Sequence, residues 1–241
     1  MSILVVTGTG TGVGKTVTTA AVAALAAARG WSVAAVKPAQ TGVGPGEPGD
    51  LAEIGALAGI TDLHECARFP DPLSPAAAAR VSGLPPVSLK LAAEAVRELA
   101  RTRRLVLVEG AGGLLVRFDE DGATLADLAH DLGAPVLLVA EPGLGTLNQV
   151  ALTLEAMAAR GVEPAGIVIG SWPVPPEQPD LAMRCNIRDL EMLAARPLAG
   201  ALPAGAGKLS AAEFLLAARA GLAPSFGGTF DPAAFRTEYA P

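Results

Sequence analysis

Cysteine is nearly absent from this 241-residue chain: Cys66 and Cys185 are far apart and stand in unrelated contexts. That argues against a disulfide framework or a CxxC metal site, and each is expected to be a buried free thiol in a reducing compartment. Histidine is equally scarce. His64 and His130 lack the clustering a metal centre needs and read as surface or helix-side residues. Charged residues are 17% of the chain and the net charge is −6, so no broad basic face is expected to hold nucleic acid. Long apolar runs are missing too. The longest uncharged, Ala-rich stretch lies between Lys15 and Arg29, too short to cross a bilayer. Met1 leads straight into Ile3–Val6 with no basic segment before it. No signal peptide and no membrane association are therefore expected, and the cytoplasm is.

What the chain does have is small apolar side chains. Hydrophobic residues make up 51% and aromatics only 4%, which favours helices packed closely on a sheet. The length suits one α/β domain, expected over residues 1–241. Short apolar runs at Ile3–Val6, Val33–Val36, Leu105–Val108, Val136–Val139 and Ile167–Ile169 read as strands buried on both faces. Helix formers fill Thr16–Arg29, Leu89–Arg101, Leu125–Leu132 and Leu147–Arg160, and Gly30, Gly133 and Gly161 follow three of these as left-handed helix ends. Strands alternating with helices predict a largely parallel β-sheet flanked by helices on both faces. Gly42–Gly49 and Pro173–Pro179 read as loops. The segment from about Leu222 to Pro241 shows no periodicity, and no role follows from it.

The most specific feature is GTGTGVGKT, Gly8–Thr16, placed after an apolar strand and opening a helix. That is the context of a P-loop: glycines let backbone N–H groups curl around phosphate oxygens, and the helix start adds its positive end. Lys15 is expected to reach the β- and γ-phosphates and the Thr16 hydroxyl to face Mg²⁺. Five residues rather than four separate Gly8 from Gly14. Glu109 follows an apolar strand and precedes Gly110–Gly113, a place from which a carboxylate faces a metal. Asp50 closes a Gly-rich loop and, on spacing alone, reads first as a helix cap and second as a metal ligand. Lys37 ends the second strand in KPAQTG. With the P-loop strand expected beside it, Lys37 would project toward the same phosphates and stabilise developing charge. Thr41 lies just beyond.

TGTGTGVGKT, KPAQTG, EGAGGLLV, LGTLNQVALTLEA and LPAGA together resemble the dethiobiotin synthetases, in that family's order, from about Ile3 to Gly205. The long-gapped P-loop is that family's form. The resemblance implies the P-loop NTPase fold and a reaction in which 7,8-diaminopelargonate takes up CO2 as a carbamate. ATP phosphorylates the carbamate, and the second amine closes the ureido ring and expels phosphate. It implies Lys15, Lys37 and Thr11 in catalysis, and Thr16, Asp50 and Glu109 as Mg²⁺ ligands. Nucleotide contact falls to Gly12, Val13, Gly14, Lys15, Thr16, Val17, Asp50, Glu109, Gly110, Ala111 and Gly112, and to Gly170, Ser171, Pro203, Ala204 and Gly205. Thr11, Lys37, Thr41 and Ser74 would contact the diamine or carbamate. The substrate carboxylate would sit at the helix start Gly145, Thr146, Leu147 and Asn148, lent by the other subunit of a homodimer.

Three departures from the family pattern bear on function. Ala76 replaces a histidine, Gly12 stands where many relatives carry an acid, and Gly170–Pro173 (GSWP) replaces an Asn-containing turn that reads the base. Other nucleoside triphosphates than ATP are therefore admitted. The competing reading is a ParA/MinD-like nucleotide-switch ATPase. Such proteins carry a second lysine five residues before the P-loop lysine, where this chain has Gly10. An amidating synthetase is disfavoured because there is no room for a glutaminase domain.

Overall fold

The computed structural model describes residues 2–241. Seven strands form one sheet in which every neighbouring pair runs parallel. β1 (Ser2–Gly8) is central. On one side lie in turn β6 (Leu105–Gly113), β2 (Val33–Lys37) and β4 (Leu63–Glu65). On the other lie β7 (Val136–Ala140), β8 (Pro164–Trp172) and β9 (Gly200–Pro203). A separate parallel ladder joins β3 (Gln40–Thr41) to β5 (Arg68–Phe69).

The period of two along each strand divides the core. Leu4, Ala35, Leu105, Leu107 and Leu137 point to one face, where α1 (Lys15–Ala28), α2 (Asp50–Ala58) and α8 (Ala211–Gly221) pack. Their neighbours Val5, Val36, Val106, Val108 and Val136 point to the other, under α3 (Pro75–Ser82), α4 (Leu89–Thr102) and α5 (Leu125–Leu132). α6 (Thr146–Ala159) and α7 (Leu181–Ala194) continue that second layer over β7 and β8. The alanines of α1, from Ala20 to Ala26, are almost fully buried because the helix is wedged between α2, α8 and the sheet, and larger side chains would hold these elements apart. The expected three-layer parallel architecture is found.

The chain winds leftward from β1 to β2, returns through β6, then crosses to β7. This reversal leaves a crevice at the carboxyl end of β1, where ligands bind in folds of this kind. Gly30, Gly133 and Gly161 adopt φ of 75°, 58° and 63°, as their positions after helices require.

Three expectations need correction. Cys66 and Cys185 are exposed rather than buried, since Cys66 follows the edge strand β4 and Cys185 lies on the outer side of α7. Strand β2 is not beside β1: β6 lies between them. β6 and β8 run past the apolar runs that announced them, so Glu109 and Gly170–Trp172 lie within strands rather than after them. The segment after Leu222, for which the sequence shows no periodicity, is structured. It forms a short 3-10 turn at Pro224–Phe226 and α9 (Pro232–Tyr239), capped by the Asp231 carboxylate. Phe235 and Tyr239 meet the Trp172 ring edge-on at centroid distances of 5.0 and 5.3 Å, which supplies an apolar contact with no helical periodicity to reveal it. Of the two histidines, His130 is exposed on α5, and His64 on β4 bonds to Asp62 at 2.6 Å.

Candidate active site

The long loop between β1 and α1 folds back on itself. A Cβ on Gly8 would lie 2.6 Å from Val13 Cγ2, and Gly12 and Gly14 hold φ of 81° and 97°, a region that L side chains avoid. Gly14 also abuts β8, where a Cβ on Gly170 would lie 2.0 Å from the Val13 carbonyl oxygen. The loop thus presents Lys15 at the start of α1. Lys15 is buried, and its ammonium donates to the Gly10 carbonyl at 2.7 Å. Burial and the neighbouring Lys37 lower its pKa, against the opposing pull of Glu109 and Asp50.

The register of β6 then explains the second cluster. Val6 pairs with Glu109 and Val36 with Val108, so Lys37, at the end of β2, and Glu109, within β6, come side by side. Lys37 Nζ donates to Glu109 Oε1 at 2.7 Å and to the Gly110 carbonyl at 3.1 Å, and it lies 2.5 Å from Asp50 Oδ2. All three ammonium protons are used. Burial would depress the Lys37 pKa, but the two carboxylates outweigh it and hold the pKa raised. Burial likewise works against Asp50 ionisation, and Lys37 outweighs it, lowering the Asp50 pKa. Thr16 Oγ1 donates to Glu109 Oε1 at 3.0 Å. The other Glu109 oxygen, Oε2, is buried without a partner.

These groups open into a cleft of about 720 Å³ lined by Thr11, Gly12, Gly14–Val17, Lys37, Thr41, Asp50, Ser74, Ala111 and Gly112, among others. A buried ammonium pair, a hydroxyl and carboxylates in one cleft can hold polyphosphate and a divalent cation together. The orphaned Glu109 Oε2 and the surplus of acid fit a cation: two ammonium groups, Lys15 and Lys37, face three carboxylates, Asp50, Glu53 and Glu109. No cluster of three or more His, Cys, Asp or Glu ligands occurs among the described residues. A cation held by one or two of these carboxylates would keep positions for water and phosphate, as Mg²⁺ does.

The structure brings together most residues expected at the site, but not all of them; Val13, Glu109 and Gly110 are buried and do not line the cleft. Gly170 and Ser171 on β8, with Pro203, Ala204 and Gly205 at the end of β9, flank the P-loop rather than line the cleft. They are tied to each other by the Ala204 N–H donating to the Trp172 carbonyl at 2.7 Å. Gly145–Asn148, at the start of α6, do not line the cleft. Asp50 is not the cap of α2, the reading its spacing favoured. It is the first helical residue after Gly49, and its carboxylate turns to Lys37. Glu53 and Gln40 also line the cleft and were not anticipated. Glu53 has a raised pKa through burial and the neighbouring acids Asp50 and Glu109. Its one sequence signal is its place one turn after Asp50.

A family model described as an AAA domain matches residues 2–207. Among solved structures, the septum site-determining protein MinD of Pyrococcus horikoshii, complexed with Mg-ADP, is similar at a TM-score of 0.55 and 14% identity. That likeness covers 90% of this chain and 92% of that one. A ParA family ATPase from Chlorobium tepidum is similar at a TM-score of 0.54 and 15% identity, covering 89% and 91%. At such identities the likeness is one of fold alone, and with the Gly8–Thr16 loop it places this chain in the P-loop NTPase class. Sequence narrows this further. The ATP-dependent dethiobiotin synthetase BioD of Parafrankia sp. is 63% identical over 240 residues, covering all of both chains. Its counterpart from Streptomyces coelicolor is 57% identical over 241 residues, again covering both entirely. The chain belongs to the ATP-dependent dethiobiotin synthetases, enzymes of the ligase class. The switch-ATPase reading retains only a shared fold. No helix among the described residues is long and apolar enough to cross a membrane.

Proposed function

We propose that this chain works as one P-loop domain in the cytoplasm and forms dethiobiotin from 7,8-diaminopelargonate, CO2 and ATP. One amine adds to CO2 and loses a proton, giving a carbamate. A carbamate oxygen attacks the γ-phosphorus and ADP leaves. The second amine attacks the carbonyl carbon of that mixed anhydride, losing a proton as phosphate departs and the ring closes. The observation that supports this best is the burial of Lys37 between Glu109 and Asp50, in the same cleft as Lys15.

Lys15 and Lys37 hold the γ-phosphate and carbamate together and neutralise charge as the phosphoryl group moves. Each donor that Lys37 withdraws from Asp50 becomes available to the carbamate. Thr11, Thr41 and Ser74 present hydroxyls to the diamine end of the cleft. The Ser74 side chain makes no capping bond to α3, which leaves its hydroxyl free to do so. Thr16, Asp50 and Glu109 would hold Mg²⁺, which supplies charge neutralisation at the β- and γ-phosphates. The start of α6 at Gly145–Asn148 would seat the substrate carboxylate of a second subunit in a homodimer. Leu144 beside it is 93% exposed, which suits a surface that a partner covers. At the base, Ser171 is exposed and Trp172 is turned into the α9 aromatics, so no side-chain amide reads the nucleobase and other nucleoside triphosphates fit.

The test is to incubate the protein with 7,8-diaminopelargonate, bicarbonate, Mg²⁺ and each nucleoside triphosphate in turn, following dethiobiotin by mass spectrometry. Product with ATP that disappears in Lys37→Ala supports the reading. Nucleotide hydrolysis indifferent to the diamine, with no product, overturns it.

A further inference from the structure

The first turn of α2 begins after Gly49, which has no side chain with which to cap it. Gln40 takes over that task from across the loop. Its Oε1 accepts from the Asp50 N–H at 2.9 Å, while its Nε2 donates to the Thr41 carbonyl at 3.3 Å. This pairing defines the amide orientation, because a flip would set donor against donor and acceptor against acceptor. Gln40 is only 3% exposed and lines the cleft. Gly49 makes the approach feasible: a Cβ there would lie 2.7 Å from Gln40 Oε1.

The middle of the same loop is held by Arg68. Its guanidinium donates to the carbonyls of Gly44 and Glu47 at 3.0 and 2.7 Å. The Glu65 carboxylate locks it through two further bonds at 2.7 and 2.8 Å. Loop 42–49 is therefore fastened along its length, and what it delivers to the cleft is the Asp50 carboxylate.

We infer that Gln40 is a positioning residue for the cation end of the site, fixing the first turn of α2 so that Asp50 faces Glu109 and Thr16. The inference rests on Asp50 being a cation ligand, as proposed above. Mg²⁺ demands near-octahedral geometry and tolerates a displaced carboxylate poorly, and partners that orient a ligand typically carry about 10–100-fold in metal affinity. Without the Gln40 acceptor, the Asp50 N–H loses its partner and the turn relaxes. Lys37 still holds the Asp50 carboxylate, now without the geometry a cation requires.

The experiment measures Mn²⁺ binding by electron paramagnetic resonance in the presence of a non-hydrolysable ATP analogue, alongside thermal melting and steady-state kinetics. Gln40→Leu is expected to weaken Mn²⁺ binding about 10–100-fold. Its effect on turnover is confined to the apparent KM for Mg²⁺, with kcat near native at saturation. Gln40→Glu keeps the acceptor for the Asp50 N–H but sets its second oxygen against the Thr41 carbonyl in a buried place, so it is expected to restore binding only in part. Asp50→Asn is the control. If it weakens Mn²⁺ binding and Gln40→Leu does not, Gln40 has no positioning role while the cation site stands. If Asp50→Asn has no effect, the cation reading of Asp50 fails and this inference fails with it. Should Gln40→Leu not fold, Gln40→Met carries the comparison, matching the length without the acceptor.

Discussion

The Lys37 ammonium sits 2.7 Å from Glu109 Oε1, and both side chains are almost wholly buried on adjacent strands, Lys37 at the end of β2 and Glu109 within β6. Removing one member of a buried ion pair strands the other charge, at a cost of about 3–5 kcal/mol. Lys37→Met is therefore expected to lower stability by that order and to cut turnover by at least about 100-fold through loss of a charge-stabilising donor. The double variant Lys37→Met/Glu109→Gln, set against Glu109→Gln alone, separates the two effects. It should recover most of the stability in urea titrations while staying inactive. Recovery of activity along with stability would show that Lys37 matters only for folding.

Gly170 presents its Cα to the P-loop so closely that a Cβ would lie 2.0 Å from the Val13 carbonyl oxygen and 2.7 Å from Val139 Cγ1. Both neighbours are held by the core, so the loop must move to make room. Gly170→Ala is expected to cost about 1–3 kcal/mol by overpacking. Because the backbone N–H groups next to Val13 are displaced, nucleotide binding should weaken by about tenfold or more, read by calorimetric titration with ATP. Native affinity in a destabilised variant would mean that β8 supports the loop without shaping it.

The layered parallel architecture, the helices α1, α4, α5 and α6 and the P-loop were legible because they rest on local patterns. Apolar β-branched runs signal buried strands, glycines at left-handed ends mark helix termini, and Gly-Lys-Thr between a strand and a helix marks a phosphate loop. What was not legible depends on contacts distant in sequence. Nothing near Lys37 shows that β6 slips between β2 and β1, yet that insertion is what brings Glu109 against Lys37. Asp50 looked like a cap because capping is local, while the residue that satisfies its N–H is Gln40, ten positions earlier. The C-terminal segment gave no period because α9 packs through Phe235 and Tyr239 onto a single ring, Trp172, rather than through a stripe. The exposed cysteines follow from the same limit, since apolar neighbours in sequence do not say which side of an edge strand or helix is covered.

At the start of α5, Asp127 Oδ2 accepts from the Thr124 N–H at 2.8 Å and from its hydroxyl at 2.5 Å. This cap also bears on the cleft: the next residue, Leu125, packs so closely on Gly110 that a Cβ there would lie 2.4 Å from Leu125 Cδ2. Partial burial disfavours the Asp127 carboxylate, but the Thr124 bonds outweigh it and hold its pKa below the ordinary 3.8. A depressed carboxylate contributes stability above its unfolded pKa and loses it as pH falls through the folded one. Asp127→Ala should therefore be less stable than the native chain by about 1 kcal/mol at neutral pH. In urea titrations the gap should stay constant down to the carboxylate range and narrow as pH drops below 3.8. A gap independent of pH down to that point and beyond would assign the effect to packing rather than to the carboxylate.

A shared carboxylate seat makes a quantitative prediction about mixed dimers. The chain is expected to sediment at twice its 24.1 kDa mass. In a two-fold dimer each cleft would combine one subunit's Lys37 with the partner's α6 start, whose residues do not line the cleft of their own subunit. Asn148 is exposed in the first turn of α6, and Asn148→Glu places a negative charge where the substrate carboxylate would rest. Lys37→Ala and Asn148→Glu should each be nearly inactive alone. After the two are unfolded together and refolded, half of the dimers are mixed, and each mixed dimer has one cleft with both parts intact. Activity should then return to about one quarter of the native value, as isologous pairing requires. No recovery, in a mixture shown by native mass spectrometry to contain mixed dimers, would place the carboxylate seat within a single subunit.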